Sequence, residues 1–293
     1  MALPNMAMIA NRQDCEAVPM ITSTGSSVRD VLASAPTGEP GPAISVVIPM
    51  HDEYGNVAPL LEEVVAALQD RVAFEIICVD DASRDSTLDL LRTLCRRHPQ
   101  LRVLSHATRA GQSAAIRNGV KAARAPWVAT LDGDGQNDPA DIPALLTELA
   151  AAGPQVKLLG GWRVQRRDGW SKRAASRIAN AVRRRMLRDA TPDTGCGIKL
   201  FEREAFLELP YFDHMHRYLP ALMQRAGWRT LSVPVNHRAR RSGASNYDNF
   251  GRLKVGLSDL LGVAWLIRRS RVVPVVSEEG AIQRTQQQGR EAR

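Results

Sequence analysis

Asp132 and Asp134, one glycine apart and followed by Gly135 and Gln136, close the apolar run Trp127-Val-Ala-Thr-Leu131. In an extended chain, residues i and i+2 point the same way, so both carboxylates address one point beyond a strand's end. Two hard oxygen ligands suit Mg²⁺ or Mn²⁺, which are held through one or two carboxylates plus substrate phosphates. The chemistry predicted is that of a nucleoside-diphosphate substrate. Spacing excludes an EF-hand: counted from Asp132, the sixth and twelfth places hold Asn137 and Pro143, where Gly and Glu are required.

The elements that must position this pair alternate along the chain. Ile44-Ser-Val-Val-Ile48 reads as a strand, and Val57, Leu60, Leu61, Val64, Val65 and Leu68 recur at helical spacing. A second strand, Phe74–Val79, ends at Asp80-Asp81. Ser86 and Asp89 have the spacing of a capping box opening a helix through Leu94. Leu101–Leu104 is a third strand, Gly111–Arg124 a third helix, and the strand carrying Asp132 follows. Such alternation predicts βαβ units and an α/β fold with a mostly parallel sheet flanked by helices. Right-handed crossovers then bring Pro49–Glu53, Asp80–Ser83, Ser105–Gly111 and Asp132–Gln136 to one cleft at the carboxyl edge. A dinucleotide fold lacks its fingerprint, since His51-Asp-Glu-Tyr-Gly-Asn stands where G-x-G-x-x-G should follow the first strand.

The 293-residue chain carries a formal charge of +8, which calls for an acidic partner. Aromatic residues are only 5% of the chain and no nucleic-acid motif is present, so nucleic acid is not expected. The charge is concentrated in two places: Arg163, Arg166, Arg167, Lys172, Arg173, Arg177, Arg183, Arg184, Arg185 and Arg188, then Arg238, Arg240 and Arg241. Arginine suits bidentate phosphate recognition. Cys15, Cys78, Cys95 and Cys196 show no CxxC spacing, which speaks for a reducing compartment and against zinc.

Val-Val-Ile-Pro49-Met-His-Asp-Glu53, Val-Asp80-Asp81-Ala-Ser83, Arg109-Ala-Gly111-Gln and Leu-Asp132-Gly-Asp134-Gly-Gln136 together resemble family 2 glycosyltransferases of the GT-A fold. More narrowly they resemble the dolichyl- and polyprenyl-phosphate sugar transferases, over about Ile44 to Arg269. The resemblance implies that Pro49, His51, Glu53, Asp80, Asp81, Arg109 and Gly111 frame the nucleotide. It makes Asp132, Asp134 and Gln136 the metal and diphosphate ligands. Arg163, Arg173 and Ser176 would hold the lipid phosphate. His216-Arg217-Tyr218-Leu-Pro220 is similar to the family's HR-aromatic-LP stretch, and Asp193-Thr-Gly195-Cys-Gly197-Ile-Lys-Leu to its D-x-G-C-G-x-x-L stretch. Arg240, Gly243, Ser245 and Tyr247 match its acceptor loop, with Asn246 where a lysine is common.

The implied activity is metal-dependent, inverting transfer of one sugar from a UDP- or GDP-sugar to polyprenyl phosphate, feeding cell-envelope glycan or lipopolysaccharide modification. A family 2 transferase acting on a saccharide or lipid A is the alternative within enzymes. A non-catalytic basic protein binding membrane or nucleic acid is the alternative outside them.

Residues 1–42 lack periodicity and read as a disordered leader; Asn5, Asn11, Arg12 and Asp14 interrupt any signal-peptide core. The catalytic domain is placed at 43–248, with a donor half at 43–137 and an acceptor half at 138–248. Residues 249–271 are expected to form an amphipathic interfacial helix, and 272–293 a polar tail. The apolar stretch Val255–Ile267 is too short for a membrane span, which needs ~20 residues. The expected location is peripheral, on the cytoplasmic face of the inner membrane.

Overall fold

A computed structural model describes residues 41–163, 182–189, 191–239 and 249–269. Seven strands form one sheet in the order β3-β2-β1-β4-β6-β5-β7: β1 Ile44–Met50, β2 Phe74–Asp80, β3 Leu101–Ser105, β4 Trp127–Thr130, β5 Val156–Arg163, β6 Lys199–Glu202 and β7 Arg229–Val235. The first four are mutually parallel, and β5 is parallel to β7. β6 alone runs against both its neighbours, β4 and β5. The helices are α1 Tyr54–Leu68, α2 Thr87–Cys95, α3 Gln112–Ala122, α4 Ile142–Ala152, α5 Arg203–Leu207, α6 Leu219–Arg225 and α7 Asn249–Arg268, with 3₁₀ turns at Pro139–Asp141 and Met215–Arg217.

Both faces of the sheet are apolar because both are covered, as parallel sheets require. Alternation along β2 sends Ile76 and Cys78 into one core, with Leu60, Leu61 and Val64 of α1. Ile77 and Val79 enter the other, with Ala115 and Ile116 of α3 and Leu219 and Leu222 of α6. Gly119 of α3 is what lets that helix lie against β1, since a Cβ there would stand 2.4 Å from Val47 Cγ1.

Two local details differ from the sequence expectation. β1 continues through Pro49 to Met50, because its pairing with β4 ends at Val47 and the missing N–H lies beyond that ladder. The capping box at Ser86 does not form: the Ser86 side chain makes no cap bond, and Asp85 Oδ1 accepts from Thr87 N–H instead (2.9 Å). Asp85 Oδ2 is also the acceptor for Tyr54 N–H (3.3 Å), so one carboxylate serves the starts of two helices. Among the described residues no helix is long and apolar enough to cross a membrane.

Candidate active site

The loops leaving β1, β2 and β3 are tied together through Asp81, which is buried just past β2. Its Oδ1 accepts from Ala110 N–H (2.7 Å) and His106 Nδ1 (2.8 Å), and its Oδ2 from Gly111 N–H (2.8 Å). Burial alone would raise this carboxyl, but the bonds from Ala110, His106 and Gly111 outweigh it and hold it below the ordinary range. His51 Nδ1 donates to the Asp81 carbonyl (2.9 Å). Asp52 N–H donates to Ser83 Oγ (3.0 Å), while Arg84 N–H returns a bond to Asp52 Oδ1 (2.6 Å). Asp52 and Ala82 both hold left-handed backbone, at φ 55° each. For Ala82 that conformation costs of order 1–3 kcal/mol, and such strain gathers at functional edges.

Glu53 N–H donates to Thr87 Oγ1 (3.0 Å), and its carboxylate accepts from Asn56 Nδ2 (2.5 Å). Asp80 Oδ2 accepts from Ser83 N–H (3.3 Å), whereas its buried Oδ1 has no partner among the described residues. A buried carboxylate oxygen so placed calls for a donor, from a ligand or from water.

Asp132 Oδ1 accepts from Gln112 Nε2 (2.8 Å), and its backbone N–H donates to Asn137 Oδ1 (2.8 Å). Buried Asp134 accepts on Oδ1 from Gln136 N–H (3.1 Å). Burial and the neighbouring Asp134 charge push the Asp132 carboxyl up, against the pull of Lys199, Gln112 and Arg163. Gly133 lets the turn fold back on β1, since a Cβ there would stand 2.8 Å from the Pro49 carbonyl.

Two carboxylates one glycine apart, the charge of one raising the pKa of the other, with an all-oxygen donor set, fit a hard divalent cation. Among the described residues no group of three or more His, Cys, Asp or Glu side chains surrounds one point. Further ligands would therefore be substrate phosphate, water or an amide such as Gln136.

Beside Asp132 lies a cavity of about 220 Å³ whose lining includes Gln112, Thr194, Lys199, His216 and Arg217. Lys199 enters it from β6 and is buried, donating to the Cys196 carbonyl. Burial lowers its pKa, and Cys196, Asp132 and Asp193 recover only part of that. His216 Nδ1 stands 2.7 Å from Ser113 Oγ. Burial first, then the Lys199, Arg217 and His214 charges, hold His216 well below the usual histidine value, so it is neutral near pH 7. Arg163, at the end of β5, donates through Nε (2.6 Å) and Nη2 (2.9 Å) to the two oxygens of buried Asp193. This pairing raises the guanidinium pKa despite burial.

The structure thus gathers His51, Asp80, Asp81 and Gly111 at the sheet edge, with Pro49 backed against the Gly133 turn and Glu53 opening α1. Arg217 lines the cavity that Asp132 borders. Arg109 is exposed on the loop before Gly111. Arg173, Ser176, Arg240, Gly243, Ser245 and Tyr247 lie outside the described residues. Sequence reasoning passed over Gln112, Asn137 and Lys199, which touch or face Asp132 directly. Gln112 and Asn137 each adjoin a motif residue, and Lys199 lies within the Asp193–Leu200 stretch, a signal that was available; the burial of Lys199 comes from β6 pairing.

A carboxylate pair beyond β4, in a sheet that is parallel up to that strand and then crossed by an antiparallel one, defines a GT-A nucleotide-sugar transferase fold. Glucosyl-3-phosphoglycerate synthase of Mycobacterium tuberculosis, solved with Mn²⁺, UDP and glucosyl-3-phosphoglycerate, superposes at TM-score 0.58 with 19% identity, covering 86% of this chain and 87% of that one. A mannosyltransferase of Pyrobaculum calidifontis, solved with GDP-Man and Mn²⁺, gives TM-score 0.57 and 19% identity over 84% of this chain and 71% of that one. The chain belongs to glycosyl transferase family 2, whose sequence model matches residues 45–209. It is 35% identical over 230 residues to a dodecaprenyl-phosphate galacturonate synthase of Rhizobium johnstonii, covering 77% of this chain and 67% of that protein. It is 32% identical over 207 residues to an undecaprenyl-phosphate 4-deoxy-4-formamido-L-arabinose transferase of Edwardsiella ictaluri, covering 70% and 62%. The chain therefore spans under two thirds of the length of the latter.

Proposed function

We propose that the protein transfers one sugar from a nucleoside-diphosphate sugar to a polyprenyl phosphate, as a divalent-metal-dependent, inverting enzyme working at the cytoplasmic face of the inner membrane. The observation that carries this is the cavity in which Asp132 faces Lys199 and Arg217. On this reading a carboxylate of the donor side faces cations of the acceptor side across that cavity, which supports charge-neutralised transfer between two phosphates. The names of the Rhizobium and Edwardsiella relatives, both polyprenyl-phosphate sugar transferases, support the same acceptor.

Each residue then has a task. Asp80 offers its unpartnered Oδ1 to a donor group of the nucleoside. Asp81 braces the Ala110–Gly111 turn that closes over it. Asp132, Asp134 and Gln136 would hold Mg²⁺ or Mn²⁺, which when bound offsets the diphosphate charge and stabilises the departing nucleotide. Arg217 lies where an acceptor phosphate can be oriented, with Arg163, Arg173 and Ser176 as further candidates. A phosphate monoester is largely ionised at neutral pH, so it attacks the anomeric carbon unaided and no side chain need take a proton. His216, held neutral, adds no charge to the cavity and lets Ser113 be positioned.

A thermal-shift screen of UDP- and GDP-sugars with Mn²⁺ tests the donor half, because bound ligand raises stability in proportion to RT ln(1 + [L]/Kd). One nucleotide series should raise Tm in the presence of metal only. Equal shifts with and without metal would remove the carboxylate pair from the reading.

A further inference from the structure

Asn236, His237 and Arg238, which follow β7, fasten the turn that carries Asp134 and Gln136. Asn236 donates to both oxygens of Asp141, from its backbone N–H to Oδ2 (2.8 Å) and from its side-chain amide to Oδ1 (3.2 Å). His237 pairs with Asn137 in an isolated antiparallel bridge. Arg238 N–H donates to the Gln136 carbonyl (3.0 Å), and Gln136 N–H donates in turn to Asp134 Oδ1 (3.1 Å). Buried Asn137 accepts the Asp132 N–H on its Oδ1 (2.8 Å). Each carboxylate residue of the pair is therefore bonded to a residue that this segment holds.

The Arg238 side chain closes the assembly. Its Nη1 donates to Glu63 Oε2 on α1 (2.7 Å), and its Nη2 stands 2.5 Å from Asp138 Oδ1. That same Asp138 oxygen accepts from Ala140 N–H (3.0 Å) and so opens the 3₁₀ turn. A planar guanidinium can bridge two carboxylates at a fixed angle, which an ammonium cannot. In the sequence Arg238 stands with Arg240 and Arg241 in a cluster suited to phosphate; in the fold both its Nη atoms face carboxylates of the protein.

We propose that Arg238 is a positioning residue for the divalent metal: by joining α1, the 3₁₀ turn and the segment after β7, it fixes where Asp134 and the Gln136 amide meet the ion. It acts through the Gln136–Asp138 backbone. This role rests on the metal reading of Asp132, Asp134 and Gln136. The side chains of Arg238, Glu63 and Asp138 are 32%, 26% and 13% exposed, and ion pairs partly open to water add little to folding stability. Ligand orientation is more sensitive, since outer-shell partners typically change metal affinity or activity 10–100-fold. Loss of Arg238 should thus appear in metal binding and hardly in the melt. The Lys157–Glu202 pair (2.7 Å) is of similar exposure but lies at the opposite edge of the sheet, where Glu202 is in register with Trp127 at the start of β4.

Titration of the full chain with Mn²⁺ in the presence of UDP or of GDP, followed by the electron paramagnetic resonance signal of the free ion, tests the proposal. Arg238→Met should raise the Mn²⁺ dissociation constant by about tenfold or more, with a metal-free Tm close to that of the parent. Arg238→Lys, which can satisfy one carboxylate, should recover part of the loss, and Lys157→Met should bind Mn²⁺ as the parent does. If Arg238→Met does not fold, Glu63→Gln, which leaves the Asp138 contact in place, should weaken Mn²⁺ binding several-fold. Parent-like Mn²⁺ affinity in folded Arg238→Met, or in Glu63→Gln in its place, would overturn the inference and leave the metal reading standing. Equal weakening in Arg238→Met and Lys157→Met would overturn it too, by showing a general loosening of the fold. A parent chain that binds Mn²⁺ with neither nucleotide would remove the metal reading itself, and this role with it.

Discussion

Gly197 leaves the space that Asp132 occupies: a Cβ built on Gly197 would stand 2.1 Å from Asp132 Oδ2 and 2.5 Å from Asn137 Oδ1. The loop entering β6 is thus shaped by a carboxylate at the end of β4, its neighbour in the sheet. Gly197→Ala must displace Asp132, Asn137 or the backbone between Cys196 and Lys199. A shift of about 1 Å in a reacting constellation can cost about a hundredfold in rate. The expected result is at least that loss in kcat with a cooperative melt retained, read by steady-state turnover and circular dichroism.

Arg163 and Asp193 form a two-point ion pair, with the acid buried. Removing one charge from such a pair strands the other, at roughly 3 kcal/mol. Asp193→Asn should lower urea-unfolding stability by about that amount, while Asp193→Glu loses less. Equal stability of Asp193→Asn and the parent would mean that the pair is not formed in solution.

Lys199 is the buried cation nearest in chemistry to Asp132, and it holds the Cys196 carbonyl. Outer-shell partners of metal ligands are typically worth 10–100-fold in metal affinity or activity. Lys199→Met should raise the Mn²⁺ concentration needed for half-maximal turnover by about that factor, and Lys199→Arg should recover part of it. An unchanged metal requirement in Lys199→Met would assign the lysine to packing alone.

His216 binds fewer protons folded than unfolded, so its contribution makes stability fall as pH drops below the unfolded value of about 6.5. The slope from this one group approaches ~1.4 kcal/mol per pH unit between that value and its lower folded one. Asp132, raised in the fold, acts in the opposite sense, so the comparison must be parent against variant. His216→Gln should flatten the acid-side fall of urea-unfolding free energy. Parallel profiles would show that the imidazole is solvated.

The donor half was legible because its signals are local. Strand and helix periods from Ile44 to Leu131 place Asp80, Asp81 and Asp132 at strand ends, and parallel crossovers do the rest. Past β4 the chain stops alternating regularly. β6 is four residues, Lys-Leu-Phe-Glu, too short for a period, and its antiparallel insertion between β4 and β5 is a non-local choice. The burial of Lys199 follows from that pairing and is not visible in the sequence. Arg163 shows the complementary limit. Its charge suggests a phosphate ligand, and the ion pair with Asp193, thirty residues on, that fixes its orientation is visible only once both are placed. In α7, within the segment expected to be an amphipathic helix, which apolar residues are buried and which exposed is visible only in the fold.

The central claim is that the carboxylate pair beyond β4 drives transfer to a lipid phosphate. It is tested most directly by incubating the full chain with the nucleotide-sugar selected by thermal shift, Mn²⁺ and a short-chain polyprenyl phosphate, and weighing the lipid product by mass spectrometry. The lipid phosphate should gain the mass of one glycosyl unit with release of the nucleoside diphosphate, and Asp134→Ala that still melts cooperatively should give no product. A lipid left unmodified while a saccharide is glycosylated, or full product from Asp134→Ala, would contradict it.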